Sequence, residues 1–152
     1  MAAGTSSNGS PDVFALSLPA DPAFGGIARL FAAGIARHFD IDDDLVGDLK
    51  IAISEAFTNA LKAHARARID QPIVLSVTHQ TDALVFEISD AGGGFDEPVA
   101  TDISRTPPSG LYEGSLGLIM IRSLFTGAEI SRNPSGGTTV RLPLALRARA
   151  ER

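Results

Sequence analysis

Apolar residues recur with two different periods along this chain, and the switch between them limits the fold to one class. Leu45, Leu49, Ile53, Phe57 and Leu61 step by four, which lays them on one face of a helix. Asp42, Asp43 and Asp44 open the segment, where negative charge suits the unpaired N–H groups of a helix start. The helix is predicted to fade before Gln71-Pro72, since proline ends a helical run. Then the period changes. Residues 73–78 and 84–89 are rich in apolar and β-branched side chains, with Gln80-Thr81-Asp82 between them. That pattern predicts an antiparallel hairpin.

The flanking segments extend this α+β reading. Residues 13–18 fit a short strand, and Asp21-Pro22 is a helix start with Asp as N-cap and Pro at the first helical position. Ile27, Leu30, Phe31, Ile35 and Phe39 follow at helical spacing. After Asp90 no periodicity is sustained as far as Gly114, and Gly92, Gly93, Gly94, Pro98, Pro107, Pro108 and Gly110 crowd the interval. Long loops of this kind in compact domains are usually functional or disordered. A third helix fits residues 115–125, and strands fit 128–132 and 138–142 around Asn133-Pro134-Ser135-Gly136-Gly137. The order β-α-α-β-β-loop-α-β-β predicts a two-layer α/β sandwich, with a mixed, mainly antiparallel sheet and three helices on one face. The expected organisation is a disordered leader over 1–11, one domain over 12–144, and a flexible basic tail over 145–152.

Composition removes several functions. The 152 residues suit a single hydrophobic core. A net charge of −5 disfavours direct grip on nucleic acid phosphates. The absence of cysteine excludes disulfides, thiolate metal sites and a cysteine nucleophile, and agrees with a cytoplasmic address. The opening residues lack the basic start and apolar run of a signal peptide. No stretch approaches the roughly 18 apolar residues that argue for a membrane span.

Four clusters carry chemistry. On the long helix, Asp48, Glu55, Asn59 and Lys62 fall on one stripe beside the apolar face. Glu can take a proton from an attacking hydroxyl, Asn can offer an oxygen to Mg²⁺, and Lys can meet phosphate. The same stripe also reads as an ordinary solvated helix edge. On the second hairpin strand, period two puts Asp90 on the face of Leu84, Phe86 and Ile88. A carboxylate on the core side is costly without donors, and the glycines after it let a flat ring approach, which suits an adenine pocket. A strand-ending Asp in a glycine turn fits equally well. Glu113-Gly114-Ser115-Leu116-Gly117 before a helix can present N–H groups to phosphate, though N-capping by Ser115 is a commoner use. Thr138 shares the inward face with Val140 and Leu142, so its hydroxyl needs a partner, with Asp90 and the backbone as candidates.

The order of these clusters resembles the GHKL (Bergerat-fold) ATPase superfamily of gyrase, Hsp90, histidine kinases and MutL. They match its N, G1, G2 and G3 boxes over nearly the whole folded chain. Ile53-Ser54-Glu55-Ala56-Phe57-Thr58-Asn59-Ala60 looks most like the anti-sigma factor serine/threonine kinase branch. That resemblance implies Glu55 as catalytic base toward a partner's serine, Asn59 as Mg²⁺ ligand, and Asp90 as reader of adenine. It implies Gly92 and Gly94 as the G1 glycines, Gly114 and Gly117 at the G2 box, and Thr138 as the G3 threonine. Lys62 is similar to the N-box lysine of histidine kinases. Residues 96–113 would form the lid over ATP, with Arg105 within it. The branch carries His four residues after the N-box Asn; here Ala63 holds that place and His64 follows. The implied partners are a sigma factor and a STAS-type anti-sigma antagonist or response-regulator-like protein, with pairing into homodimers, in transcriptional control of stress responses. Two other readings stay open: a histidine-kinase-type catalytic domain acting in trans, and a non-catalytic module that binds its partner.

Overall fold

The computed structural model describes residues 10–93 and 113–147, the first turn of the last helix as backbone only. Its elements run β1 (Asp12–Leu18), a 3-10 turn (Pro22–Phe24), α1 (Gly25–His38), α2 (Asp43–Ala67), β2 (Ile73–His79), β3 (Ala83–Ser89), α3 (Glu113–Leu124), β4 (Glu129–Arg132) and β5 (Thr138–Ala145). The strands form one sheet of order β1-β2-β3-β5-β4. Among the described residues its ladders are antiparallel, as the expected α+β sandwich with a mainly antiparallel sheet requires. The β2–β3 hairpin pairs Val77 with Phe86 and Leu75 with Ile88. Each of these four is buried, because alternation turns every second side chain toward the helices.

The core lies between that face and α2. Leu49, Ile53 and Phe57 of α2 are buried with Leu84 and Phe86 of β3, Leu142 of β5, and Leu118 and Ile121 of α3. Full burial of a side chain of this size stabilises the fold by about 1.5–3 kcal/mol. Leu45, the first member of the four-residue series, is 37% exposed. The helix ends on Arg68, whose φ of 53° is left-handed, and Ile69 N–H returns to His64 O at 3.0 Å. That arrangement satisfies a carbonyl left over at a helix end.

The first helix departs from expectation. Asp21 caps the start, accepting from Ala23 N–H at 2.8 Å, but the cap serves the 3-10 turn and α1 begins only at Gly25. The buried face of α1 is Ala28, Ala32, Ala33 and Ala36, while Ile27 and Leu30 are 46% and 69% exposed. Small methyls allow a close approach to α2 that larger side chains would prevent. Phe31, Ile35 and Phe39 pack at the core's margin.

Strand β5 runs past the predicted end at Leu142 to Ala145, although Pro143 lies within it. Its register explains this. Pro143 pairs with Val85 of β3, and β4 has already stopped opposite Arg141, so its missing N–H costs the β4 ladder nothing. Beyond β5, Leu146 N–H donates to Asp82 O and Arg147 pairs with Asp42. Among the described residues, no helix is long and apolar enough to cross a membrane.

Candidate functional site

The end of β3 is the centre of the site. Asp90 continues the inward face of Leu84, Phe86 and Ile88 and is 8% exposed. Its Oδ1 accepts two backbone N–H groups, from Gly92 at 2.9 Å and Thr138 at 3.2 Å. Asp90 N–H in turn donates to Thr138 O at 2.9 Å. The carboxylate thus has a set orientation, which offsets part of the cost of burying it. Thr138 lies on the inner face and is buried. Its contacts with Asp90 run through its backbone N–H and carbonyl.

Two glycines bring the turn after Asp90 close to its neighbours. A methyl built on Gly92 would lie 2.5 Å from Ala63 Cβ and 2.6 Å from its carbonyl carbon. Only a residue without a side chain fits against α2 there. A methyl on Gly137, at the start of β5, would lie 1.8 Å from Asp90 O. Gly94, the expected lid and Arg105 fall outside the described residues.

The α2 stripe meets this region from the helical layer. Glu55 and Asn59 are half-buried, and Lys62 is exposed. Gly117 of α3 packs on the first two: a methyl there would sit 2.6 Å from Glu55 Oε2 and 3.5 Å from Asn59 Nδ2. One point next to α3 is therefore within reach of both functional groups. Gly114 and Gly117 lie inside the first two turns of α3, which begins at Glu113, two residues before the helix start expected at 115. Asn59 Nδ2 is buried without a hydrogen-bond partner among the described residues. An orphaned amide NH₂ in a polar niche is what an acceptor oxygen on a ligand would satisfy.

That carboxamide also fits a role toward Mg²⁺. Among the described residues, no three His, Cys, Asp or Glu side chains converge into a metal cage. Mg²⁺ in nucleotide sites is held by one or two protein oxygens together with phosphates and water. Asn59 supplies a hard amide oxygen of that kind, and Glu55 beside it adds negative charge.

The model of the histidine kinase-like ATPase domain family matches residues 18–144, from the last residue of β1 almost to the end of β5. The chain belongs to this family. Within it the chain falls among serine-protein kinases. It is 31% identical over 140 residues to the serine-protein kinase RsbW of Bacillus pumilus, covering 88% of this chain and 85% of that one. It is 32% identical to RsbW of Bacillus velezensis over 136 residues, covering 86% and 84%. RsbW of Listeria monocytogenes serotype 4a is 32% identical over 129 residues, covering 78% and 79%. The ATPase-domain family supports ATP binding, and the RsbW relatives support serine/threonine kinase chemistry.

Two residues that touch the Asp90–Ala91 peptide were not singled out as site candidates in the sequence. His64 Nε2 accepts from Ala91 N–H at 2.9 Å, and Asn133 Nδ2 donates to Asp90 O at 2.8 Å. A signal for the first was present: His64 continues the apolar stripe of Ile53, Phe57 and Ala60, where a polar side chain needs a buried partner. Asn133 looked like an ordinary turn residue, and nothing local set it apart.

Proposed function

We propose that this chain is an ATP- and Mg²⁺-dependent kinase that phosphorylates a Ser or Thr on an anti-sigma antagonist of STAS type, and that it sequesters a sigma factor. The observation that carries the reading is the oriented, buried carboxylate of Asp90 facing a glycine turn, with Glu55 and Asn59 meeting at Gly117 on the neighbouring helices. In this reading Oδ1 of Asp90 is engaged by backbone, and Oδ2 accepts from the exocyclic amine of adenine. Gly92 leaves room for the ring. Gly117, Gly114 and Lys62 lie toward the phosphates, and Thr138 steadies Asp90 from β5.

Glu55 is the general base. Its carboxylate takes the proton of the partner's hydroxyl as that oxygen forms its bond to the γ-phosphorus, and the bond from phosphorus to the β,γ-bridging oxygen breaks to release ADP. Bound Mg²⁺ supplies charge neutralisation across the phosphates, and Asn59 is the residue that would hold it. The protein's share is positioning and electrostatics, as in other phosphoryl transfers. Such chemistry suits a cytoplasmic protein, and homodimer formation accompanies the reading.

The test is transfer of the γ-phosphoryl group from ATP to a serine-bearing STAS-type antagonist. Glu55→Ala is expected to slow transfer by about 10²–10⁴-fold, the usual contribution of a general base, while nucleotide still binds. An acid-labile phosphohistidine product, or transfer undiminished in the variant, would overturn the reading.

A further inference from the structure

The peptide unit joining Asp90 to Ala91 is gripped at both ends. Its carbonyl accepts from Asn133 Nδ2 at 2.8 Å, and its N–H donates to His64 Nε2 at 2.9 Å. The two side chains come from different layers, His64 from α2 and Asn133 from the turn between β4 and β5. The position matters because the β3–β5 register ends one residue earlier, at Ser89 opposite Thr139. Past that point a peptide plane has no ladder to hold its tilt, and a rotation there would carry Asp90 and Gly92 with it.

Neither grip is loose. Asn133 Oδ1 accepts from Gly137 N–H at 3.0 Å and from Ser135 N–H at 3.2 Å, and Ser135 Oγ donates to it at 2.6 Å. His64 is 2% exposed. An accepting Nε2 bears no proton, so the ring's proton is on Nδ1, an atom that is buried without a partner among the described residues. A histidine kept in the core with one nitrogen unsatisfied is an expensive way to fill space, whereas its other nitrogen meets the backbone N–H of Ala91.

The geometry points to His64 and Asn133 as positioning residues that clamp the Asp90–Ala91 peptide and so set nucleotide affinity. The inference rests on the adenine reading of Asp90. It assigns to α2 a task beyond carrying Glu55 and Asn59: the helix also fixes the angle at which the purine-reading acid is presented. The one-residue offset of His64 makes Ala63 the small neighbour against which Gly92 packs.

The test uses the full chain and ADP titrated by calorimetry. A glutamine side chain reaches the place of His Nε2 and can accept there; an asparagine reaches only as far as Nδ1. His64→Gln is therefore expected to bind ADP within about threefold of the parent. His64→Asn and His64→Leu are expected to bind about tenfold more weakly, the loss of one hydrogen bond. Equal affinities across the three folded variants would overturn the clamp. A second measurement needs no variant: ¹⁵N spectra of His64 are expected to show the proton on Nδ1, with slow exchange of the Ala91 amide. A proton on Nε2, or a fast-exchanging Ala91 amide, refutes it. If Asp90→Asn leaves ADP affinity intact, the adenine reading has failed, and the spectra decide the clamp separately.

Discussion

Replacing Asp90 by asparagine asks one atom to change and the scaffold to stay. The carboxamide oxygen can still accept from Gly92 N–H and Thr138 N–H, the two bonds that now orient Oδ1. The fold should survive, with a thermal midpoint within a few degrees of the parent. The other oxygen becomes an NH₂ group. Toward adenine that places a donor against a donor where a charged acceptor stood. A hydrogen bond to a charged group contributes about 1.5–3 kcal/mol, so ADP affinity should fall by roughly tenfold to a hundredfold. Inosine diphosphate supplies the converse case, because its purine carries an oxygen at position 6. The new NH₂ can donate to it. The parent should prefer ADP to IDP, and Asp90→Asn should lose or reverse that preference. Calorimetric titration of both nucleotides into both proteins gives the four constants. An ADP constant within threefold of the parent, or an unchanged ADP-to-IDP ratio, would refute the assignment of this acid to adenine.

Gly117→Ala should separate stability from chemistry: alanine favours a helix by about 1 kcal/mol over glycine, yet its methyl lands 2.6 Å from Glu55 Oε2. Because the carboxylate is the mobile end of its side chain, the melting temperature should hold or rise while phosphoryl transfer falls at least tenfold; a fall in both would mean that α3 itself is displaced. Gly137→Ala, with its methyl 1.8 Å from Asp90 O, must push backbone apart and should destabilise by about 1–3 kcal/mol, an overpacking cost, as read by urea denaturation. Asn59→Ala should weaken ATP binding in Mg²⁺ but leave binding in a chelator nearly unchanged, since the lost oxygen serves the metal; equal losses in both conditions would contradict that role.

Much of this was readable from residue order. The α2 series and the β2–β3 hairpin announced themselves because large apolar side chains kept strict periods over several turns or strands. Asp90 was placed on the core side by the same period of two. The face of α1 was misread for the opposite reason. Alanine carries little hydrophobic weight, so Ala28, Ala32, Ala33 and Ala36 were outshone by Ile27 and Leu30, which the fold leaves outside. Gly114 fell just ahead of the predicted helix start at 115, while Gly117 sits within α3 because a helix tolerates glycine where a neighbour must come close, as Glu55 does. His64 and Asn133 were illegible as a pair. Each acquires its purpose only when chain ends 27 and 43 residues away in sequence arrive beside it.

The alanine seam of α1 also has a mechanical side. A helix whose buried face is alanine has little side-chain cushion to compress, so α1 and the 25-residue α2 should shift as a single stiff body. Arg29 reaches across to Ser54 at 3.3 Å, one residue before the proposed base. A push delivered at Leu30, out in solvent, would arrive at Glu55 almost undamped.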